Sequence, residues 1–389
     1  MRIVLAIVFL LTSFLVKAQE SSLEINSNLG FMNTHFNEPL MSESYGFLDD
    51  KEKDNIISAL DSENLFQTEI DNEIKYSHKK GWSITFGNHL AAYGAYSDDI
   101  VKLTLLGNSP FSGEQLDLEP LDFTAYHYSK FEVGYQWNSK FNTSISLLAG
   151  HQFAELNVNK VTFYTDELSD FFEYDIAFEA HFSDTTDLMN NLFALNGKGA
   201  ALNIHYSDSI RNGRIDIGLQ DLGMIRWNEK TTNILIDSEW RFEGVNIDDF
   251  IEFNDSILEN YFDSIQDVFQ KYNEESYNWR LPITLNLNIF QWSQSDFIDA
   301  YSFSVVHKPR FYTIPRFALD LHKSFKKHGF SLGYHLGGYE KAGFQFAYNF
   351  SGKKTQFKLF SKQANALIPS QNYGVHLGFG IKRVFSTSK

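Results

Sequence analysis

The sequence predicts an all-β fold, a closed antiparallel transmembrane β-barrel of about 14 strands, within a range of about 12 to 16. Three observations predict it. Runs of strict period-two alternation recur along the chain, the mark of strands with two different faces. One face of these runs is rich in aromatics, which make up 16% of the chain, and the other carries Gly, Ser, Asn, Gln and His. A sandwich facing bulk water favours Lys, Glu and Thr on its polar face, whereas a barrel in lipid turns greasy side chains outward and small polar ones inward. Beyond the N-terminal stretch there is no run of about 18 apolar residues, so any further crossing of a membrane is made by strands.

In chain order, "MRIVLAIVFLLTSFLVKAQE" comes first. Arg2, an apolar stretch from Ile3 to Val16 and the small-residue site Val16-Lys17-Ala18 predict a signal peptide over 1–18, leaving 19–389 as the barrel. The cysteine count of zero excludes disulfides, zinc–thiolate sites and thiol nucleophiles. An acidic stretch, "FLDDKEKDNIISALDSEN" (47–64), predicts a small helical plug or loop ahead of the main strands.

Strands follow. "GWSITFG" sets Trp82, Ile84 and Phe86 against Ser83 and Thr85, and "KFEVGYQW" sets Phe131, Val133, Tyr135 and Trp137 against Glu132, Gly134 and Gln136. "RIDIGLQ", "LPITLNLNIF", "HGFSLGYHLGG" and "AGFQFAYNF" repeat the pattern. A turn at "YEK" predicts Leu336 opposite Phe344, Tyr334 opposite Phe346, Leu332 opposite Tyr348 and Phe330 opposite Phe350, one continuous apolar face. A turn at "KKHG" predicts Phe325 opposite Phe330 and therefore Asp320 opposite His335. An open sheet in lipid leaves its edge groups unpaired, so closure is expected. The last run, Gly374 to Phe385, alternates to a near-terminal aromatic of the kind read by barrel-insertion machinery. Counting back from it places "GKKT", "KKHG" and "SQSD" in the periplasm, with "YEK", "HKPRFYT" and 244–279 outside.

The segment 244–279 breaks the alternation. Ile247, Phe250, Ile251, Ile257, Leu258, Phe262, Ile265, Val268 and Phe269 recur at helical spacing against acids, predicting an acidic amphipathic helical insert that caps the barrel mouth, with a docking surface for a protein partner or a cation-collecting funnel as the alternative.

The stretch "GLQDLGMIRWNEKTTNILIDSEWRFEGVNIDDFI" resembles a domain-of-unknown-function family of outer-membrane β-barrels from Bacteroidota. The likeness rests on Asp221, Leu222, Gly223, Ile225, Arg226 and Trp227, on Phe242, Glu243 and Gly244, and on Leu281 and Pro282. "VTFYTDELSD" (161–170) is similar as well, so the likeness spans roughly 160–290. It implies an outer-membrane location reached after secretion, and no biochemical activity.

The net charge of −16 speaks against nucleic acid and against simple adhesion to an anionic surface. Asp221, Arg226 and Trp227 read as an interfacial turn, with Trp at headgroup depth and Arg226 paired to Asp221. Asn286, Asp320, His322, His335 and His376 are the lumen-facing candidates. Asp320 with His335 is half of a hydrolytic triad, yet no Ser sits in a recognisable nucleophile setting. The twelve histidines show no H-x-x-x-H or H-E-x-x-H spacing, so neither metal nor cofactor is expected. The expected function is a non-enzymatic channel, transporter or ligand-gathering barrel. The alternative is a structural or secretion-assembly barrel, and an outer-membrane lipid hydrolase is the remote third.

Overall fold

The computed structural model describes residues 20–34, 48–184, 193–243, 272–311, 314–339, 342–364 and 374–385. The stretch 1–18 and residues 244–271 of the acidic insert lie outside them.

Along the chain, β1 (Ser21–Asn33) is followed by α1 (Asp50–Ala59), β2 (Glu63–Ser77), β3 (Trp82–Ser97), α2 (Asp98–Leu106), β4 (Gln115–Asp117) and β5 (Leu121–Gln136). Next come β6 (Phe141–Thr165), β7 (Phe172–Phe182), β8 (Gly197–Ile210), β9 (Gly213–Trp227), β10 (Thr232–Phe242), β11 (Tyr272–Glu274), β12 (Asn278–Arg280) and β13 (Thr284–Trp292). The chain ends with β14 (Ala300–His307), β15 (Arg316–Phe325), β16 (His328–Leu336), β17 (Ala342–Ser351), β18 (Thr355–Gln363) and β19 (Gly374–Phe385).

Hydrogen bonding joins β1, β2, β3, β5, β6, β8, β9 and β13 to β19 into a closed 14-strand antiparallel ring. Closure is made by β1 on β19, with Ser21 opposite Phe385 and Met32 opposite Gly374. The barrel therefore begins at Ser21, and α1 is inserted between its first and second strands rather than standing ahead of them.

The outward face is oily. Leu332 is 59% exposed, Ile145 62% and Leu377 57%, and they alternate with buried Ser331, Ser146 and His376. Apolar residues outside and polar residues inside reverse the order of a water-soluble protein, as hydrocarbon surroundings require.

The predicted faces hold, but two predicted registers are shifted by two residues. In the β16–β17 hairpin Tyr334 faces Phe344, Leu332 faces Phe346, Phe330 faces Tyr348 and Leu336 faces Ala342. The loop is longer than a turn at "YEK" because Gly337 and Gly338, at φ 81° and 74°, carry the chain through left-handed backbone before it returns. In β15–β16 Phe325 faces His328 across a tight turn that puts Lys326 at φ 55°. Asp320 therefore faces Gly333, and His335 faces Ala318.

The connections sort by length. "KKHG", "GKKT" and "SQSD" share an end with Phe385 and with the β2–β3, β5–β6 and β8–β9 turns, which are all short. Long excursions leave from the opposite end. There β6 runs past the wall and pairs with β4 and β7, and β7 pairs with β10, which pairs with β11. These strands form a protruding sheet, and Leu116, Val161 and Phe163 on it pack with Ile100 and Leu103 of α2. Helix α2 is capped by Ser97, whose Oγ accepts from the Ile100 N–H at 3.3 Å. Burial pulls the Lys102 ammonium down, but Asp98 and Asp99, at 2.7 and 2.8 Å, outweigh it and hold the pKa above its ordinary value. Residues 272–274 and 278–280, expected to end a helical insert, are strands, because β9 and β10 offer free edges for them to pair with.

Leu332 sits mid-strand on the outward face. Leu332→Lys is expected to cost about 2–4 kcal/mol, the depth-dependent cost of a cation in hydrocarbon. Urea unfolding in lipid vesicles measures it, and an unchanged midpoint would mean that this face does not meet lipid.

Candidate functional site: a charged interior and an aromatic cluster

Inward positions carry charge from the first strands on. In "FQTEIDNEIKY", Glu69, Asp71, Glu73 and Lys75 alternate with Ile70 and Ile74 along β2, and Ile74 is exposed on the outer face. Near the short-turn end a polar vestibule of about 500 Å³ is lined by Ser22, Glu24, Lys75, Ser83 and Lys382, among others. Glu24 lies 3.9 Å from Lys382 and accepts from Asn26 Nδ2 at 2.9 Å.

Deeper in, His89 Nδ1 is 2.6 Å from Asp71, and Lys130 is 2.5 Å from Glu73. Glu132 accepts from Ser146 Oγ at 3.1 Å and from Asn203 Nδ2 at 2.7 Å. Asp71, Glu73 and Glu132 thus each have a cation or donors. Without them the cost of taking a charge out of bulk water would not be met.

Towards the long-loop end the lining turns aromatic. Tyr93, Tyr126, Tyr128, Phe153, Trp227 and Trp279 form one buried cluster with Met32, Leu148 and Tyr339. Phe153 stacks on Trp227 at 5.0 Å and 15°, and Tyr126 meets Trp279 at 4.8 Å. The members come from β1, β3, β5, β6, β9 and β12 and from the β16–β17 loop, so the cluster crosses the barrel from wall to wall.

The β14–β15 connection folds in and joins this cluster. Phe311 lies flat on Tyr93, 3.8 Å between centroids at 4°. Lys308 pairs with Glu69, which also accepts from Tyr93 Oη at 2.5 Å. Arg310 pairs with Glu155, whose side chain is 1% exposed, and donates to the Arg280 carbonyl at 3.0 Å. Tyr277 Oη donates to Glu155 at 2.8 Å, and burial together with that carboxylate pushes the phenol pKa up. One short connection therefore ties two cations and a ring to β2, β3 and β6, across the barrel from its own strands.

The predicted site residues are spread around the wall. Asn286 packs so closely on Gly218 that a Cβ there would lie 2.3 Å from Asn286 Oδ1. Asp320 accepts from Gln345 Nε2 at 2.5 Å, and His322 Nε2 is 2.8 Å from Ser302 Oγ. His335 and His376 flank Gln363: His335 Nε2 is 3.3 Å from Gln363 Oε1, and Gln363 faces His376 in the β18–β19 ladder. Asp320 and His335 do not meet, so the half-triad is not assembled.

Asp221, Arg226 and Trp227 are not a turn. They lie inside β9, which runs unbroken from Gly213 to Trp227 because its alternating residues pair with β8 on one side and with β12 and β13 on the other. Trp227 is 0% exposed, an interior residue rather than a headgroup anchor. Arg226 donates to Ser276 Oγ at 3.2 Å and not to Asp221. Asp221, at φ 60°, lies in a bulge opposite Asn203, and its N–H donates to Asn203 Oδ1 at 2.8 Å.

No curated protein matches the chain. A family model described as "Family of unknown function (DUF5723)" matches residues 21–361. Among solved structures, the deltaS2 mutant of the TodX monoaromatic hydrocarbon channel is similar at 8% identity, covering 95% of this chain and 91% of that one, with a TM-score of 0.45. The toluene transporter TbuX of Ralstonia pickettii is similar at 9% identity, covering 95% and 90%, with a TM-score of 0.38. A FadL homologue of Pseudomonas aeruginosa is similar at 7% identity, covering 95% and 91%, with a TM-score of 0.42.

Arg310→Ala leaves the Glu155 carboxylate without its cation. The expected loss is about 3 kcal/mol, the low end for breaking a buried pair because Arg310 keeps some solvent. Denaturant unfolding in detergent measures it, with faster chymotryptic cleavage at Phe311 as the local readout.

Proposed function

The chain belongs to the DUF5723 family of unknown function, and we propose that it is a non-enzymatic outer-membrane barrel that passes a solute through a gated interior. The observation that carries this reading is the inward-folded β14–β15 connection. Its Lys308, Arg310 and Phe311 tie it to Glu69, Glu155 and Tyr93 at the long-loop end, above a charged and polar lining, while a polar vestibule lies at the other end. A wall-to-wall plug made only of strand side chains would be permanent. One held by a connection outside the ring can be withdrawn while every wall hydrogen bond stays in place.

In this reading Glu69 and Glu155 are the wall anchors of the gate, and the sequence-predicted Asn286, Asp320, His322, His335 and His376 line the path. The long-loop end faces outward and the short-turn end faces the periplasm, which the chain reaches by secretion through its first 18 residues, as the resemblance to Bacteroidota barrels also implies. Phe385, at the end of the closing strand, is the feature offered to the insertion machinery.

Docking of a protein partner is the second reading. The protruding sheet favours it, since Glu173, Asp175, Glu179, Asp237 and Glu239 share the face opposite Trp240 and Tyr174. The acidic segment 244–271 would add to that surface. Lipid hydrolysis is not proposed, because Asp320 and His335 stand apart.

Planar-bilayer recording tests the gate. The parent protein is expected to be mostly closed, and Lys308→Gln combined with Phe311→Ala to raise open probability by about tenfold or more, equivalent to about 1.4 kcal/mol of latch stability. If this variant inserts fully and remains silent, the gated reading fails and docking takes its place.

A further inference from the structure

The net charge of −16 conceals a cationic arc at the short-turn end. Going around the ring from β15 to β3, the turns and the strand end carry Lys326 and Lys327, then Lys353 and Lys354, then Arg383, then Lys80. All six are exposed, and none has an ion-pair partner among the described residues. Among the described residues Glu20 is the one exposed acid placed between them, since Glu24 turns inward to the vestibule. The arc is thus a run of uncompensated positive charge in an acidic protein.

Its position on the molecule selects the ligand. On the outward face Phe325 at 58% exposure and Phe330 at 42% stand just above Lys326 and Lys327, while Phe385 at 44% stands two residues beyond Arg383, at the rim itself. Exposed aromatic rings set at the same depth as ammonium and guanidinium groups match the boundary between hydrocarbon and headgroups, where rings sit at interfacial depth and cations reach the phosphates. Adjacent turns lie two strand widths apart, about 10 Å, so the cations are spread along the rim and do not converge on the lumen. A site for a soluble anion would gather its donors at one point. This one spaces them along a line that lipids encircle.

We propose that this arc binds anionic glycerophospholipid headgroups of the leaflet at the short-turn end, giving the barrel a ring of selected lipids on its β15–β3 side. The lipid phosphate and its net negative charge are what is recognised, and acyl chains are held only by the aromatic band.

Trp82 supplies the probe: it opens β3 on the outward face shared with Phe86, which is 59% exposed, and stands two residues beyond Lys80. The full chain is reconstituted in phosphatidylcholine vesicles doped with either brominated phosphatidylglycerol or brominated phosphatidylcholine, and quenching of tryptophan fluorescence gives the relative lipid association. Phosphatidylglycerol is expected to be preferred about fivefold at low salt, the strength of about one engaged cation. At 1 M salt, where the screening length shrinks to about 3 Å, the preference is expected to fall towards unity. The combined variant Lys326→Gln, Lys327→Gln, Lys353→Gln, Lys354→Gln is expected to lose most of the low-salt preference.

Equal association of the two lipids with the parent protein overturns the proposal, as does a preference that survives both high salt and the variant. Should the variant fail to fold, the salt titration of the parent decides alone. Saturable binding of inorganic phosphate to the detergent-solubilised protein, with no discrimination between the lipids, would assign the arc to a soluble anion and also overturn it. None of these outcomes bears on the gate, which lies at the opposite end of the barrel.

Discussion

Everything in this molecule follows from the need to give each backbone N–H and C=O in hydrocarbon a partner. An unpaired group in that setting costs several kcal/mol, so the ring must close, and it does so through the twelve-pair ladder between β1 and β19. Closure explains why the first described strand and the last are neighbours. Two strands long enough to cross must lie side by side with ends matched, and Ser21 does face Phe385. It also fixes where irregularity is allowed. The bulges at His127/Tyr128 and Leu202/Ile204 lie beside the interior cluster, and the β4–β7–β10 sheet, with its free edges, stands beyond the wall.

Once the wall is sealed from outside, the interior problem is electrostatic. A polar lumen holds charged side chains only if they are solvated or paired, and this one pairs them densely. Lys130 with Glu73, His89 with Asp71 and Lys308 with Glu69 follow one another up the β2 face. Pairs of this kind stabilise the fold weakly, because desolvation offsets most of the attraction. Their larger effect is to dictate which groups sit opposite which. That is how the β14–β15 connection finds its place: Lys308 and Arg310 have anchors in Glu69 and Glu155, and Phe311 fits flat against Tyr93 between them.

How much of this was legible in the sequence depends on how local each cause is. Inside and outside were legible because alternation is a property of single strands, and a register error of two residues leaves every side chain on its own face. The β16–β17 pairing shows this: Tyr334 meets Phe344 instead of Phe346, yet both phenylalanines point outward. Turn geometry was less legible, since Gly337 and Gly338 in left-handed conformation and Lys326 at positive φ changed loop lengths that composition alone left open. The row Glu69, Asp71, Glu73 and Lys75 could have been read as inward charge from its alternation with Ile70 and Ile74. The aromatic closure could not, because Tyr93, Phe153, Trp227, Trp279 and Phe311 are brought together only by the ring. Trp227 is the sharpest case: a Trp beside an Arg near a strand end looks like an interfacial anchor, and only the folding-in of β12 against β9 makes it a buried one.

The same division between wall and filling says where motion can occur. Opening the ring anywhere would expose a row of unpaired backbone groups to lipid, so the wall is rigid for as long as it is surrounded by hydrocarbon. The filling is under no such constraint. Phe311, Lys308 and Arg310 are held by a stacked ring pair, ion pairs and hydrogen bonds to Tyr93 Oη and the Arg280 carbonyl, polar contacts that water can replace one at a time. Their anchors Glu69, Glu155 and Tyr93 belong to the wall and would stay behind, so withdrawal of the connection would turn a charged, hydrated surface towards the passage. In the gated reading proposed above, such a barrel would separate the part that must not move from the part that can, with the movable part at the end where the chain already leaves the membrane in long excursions.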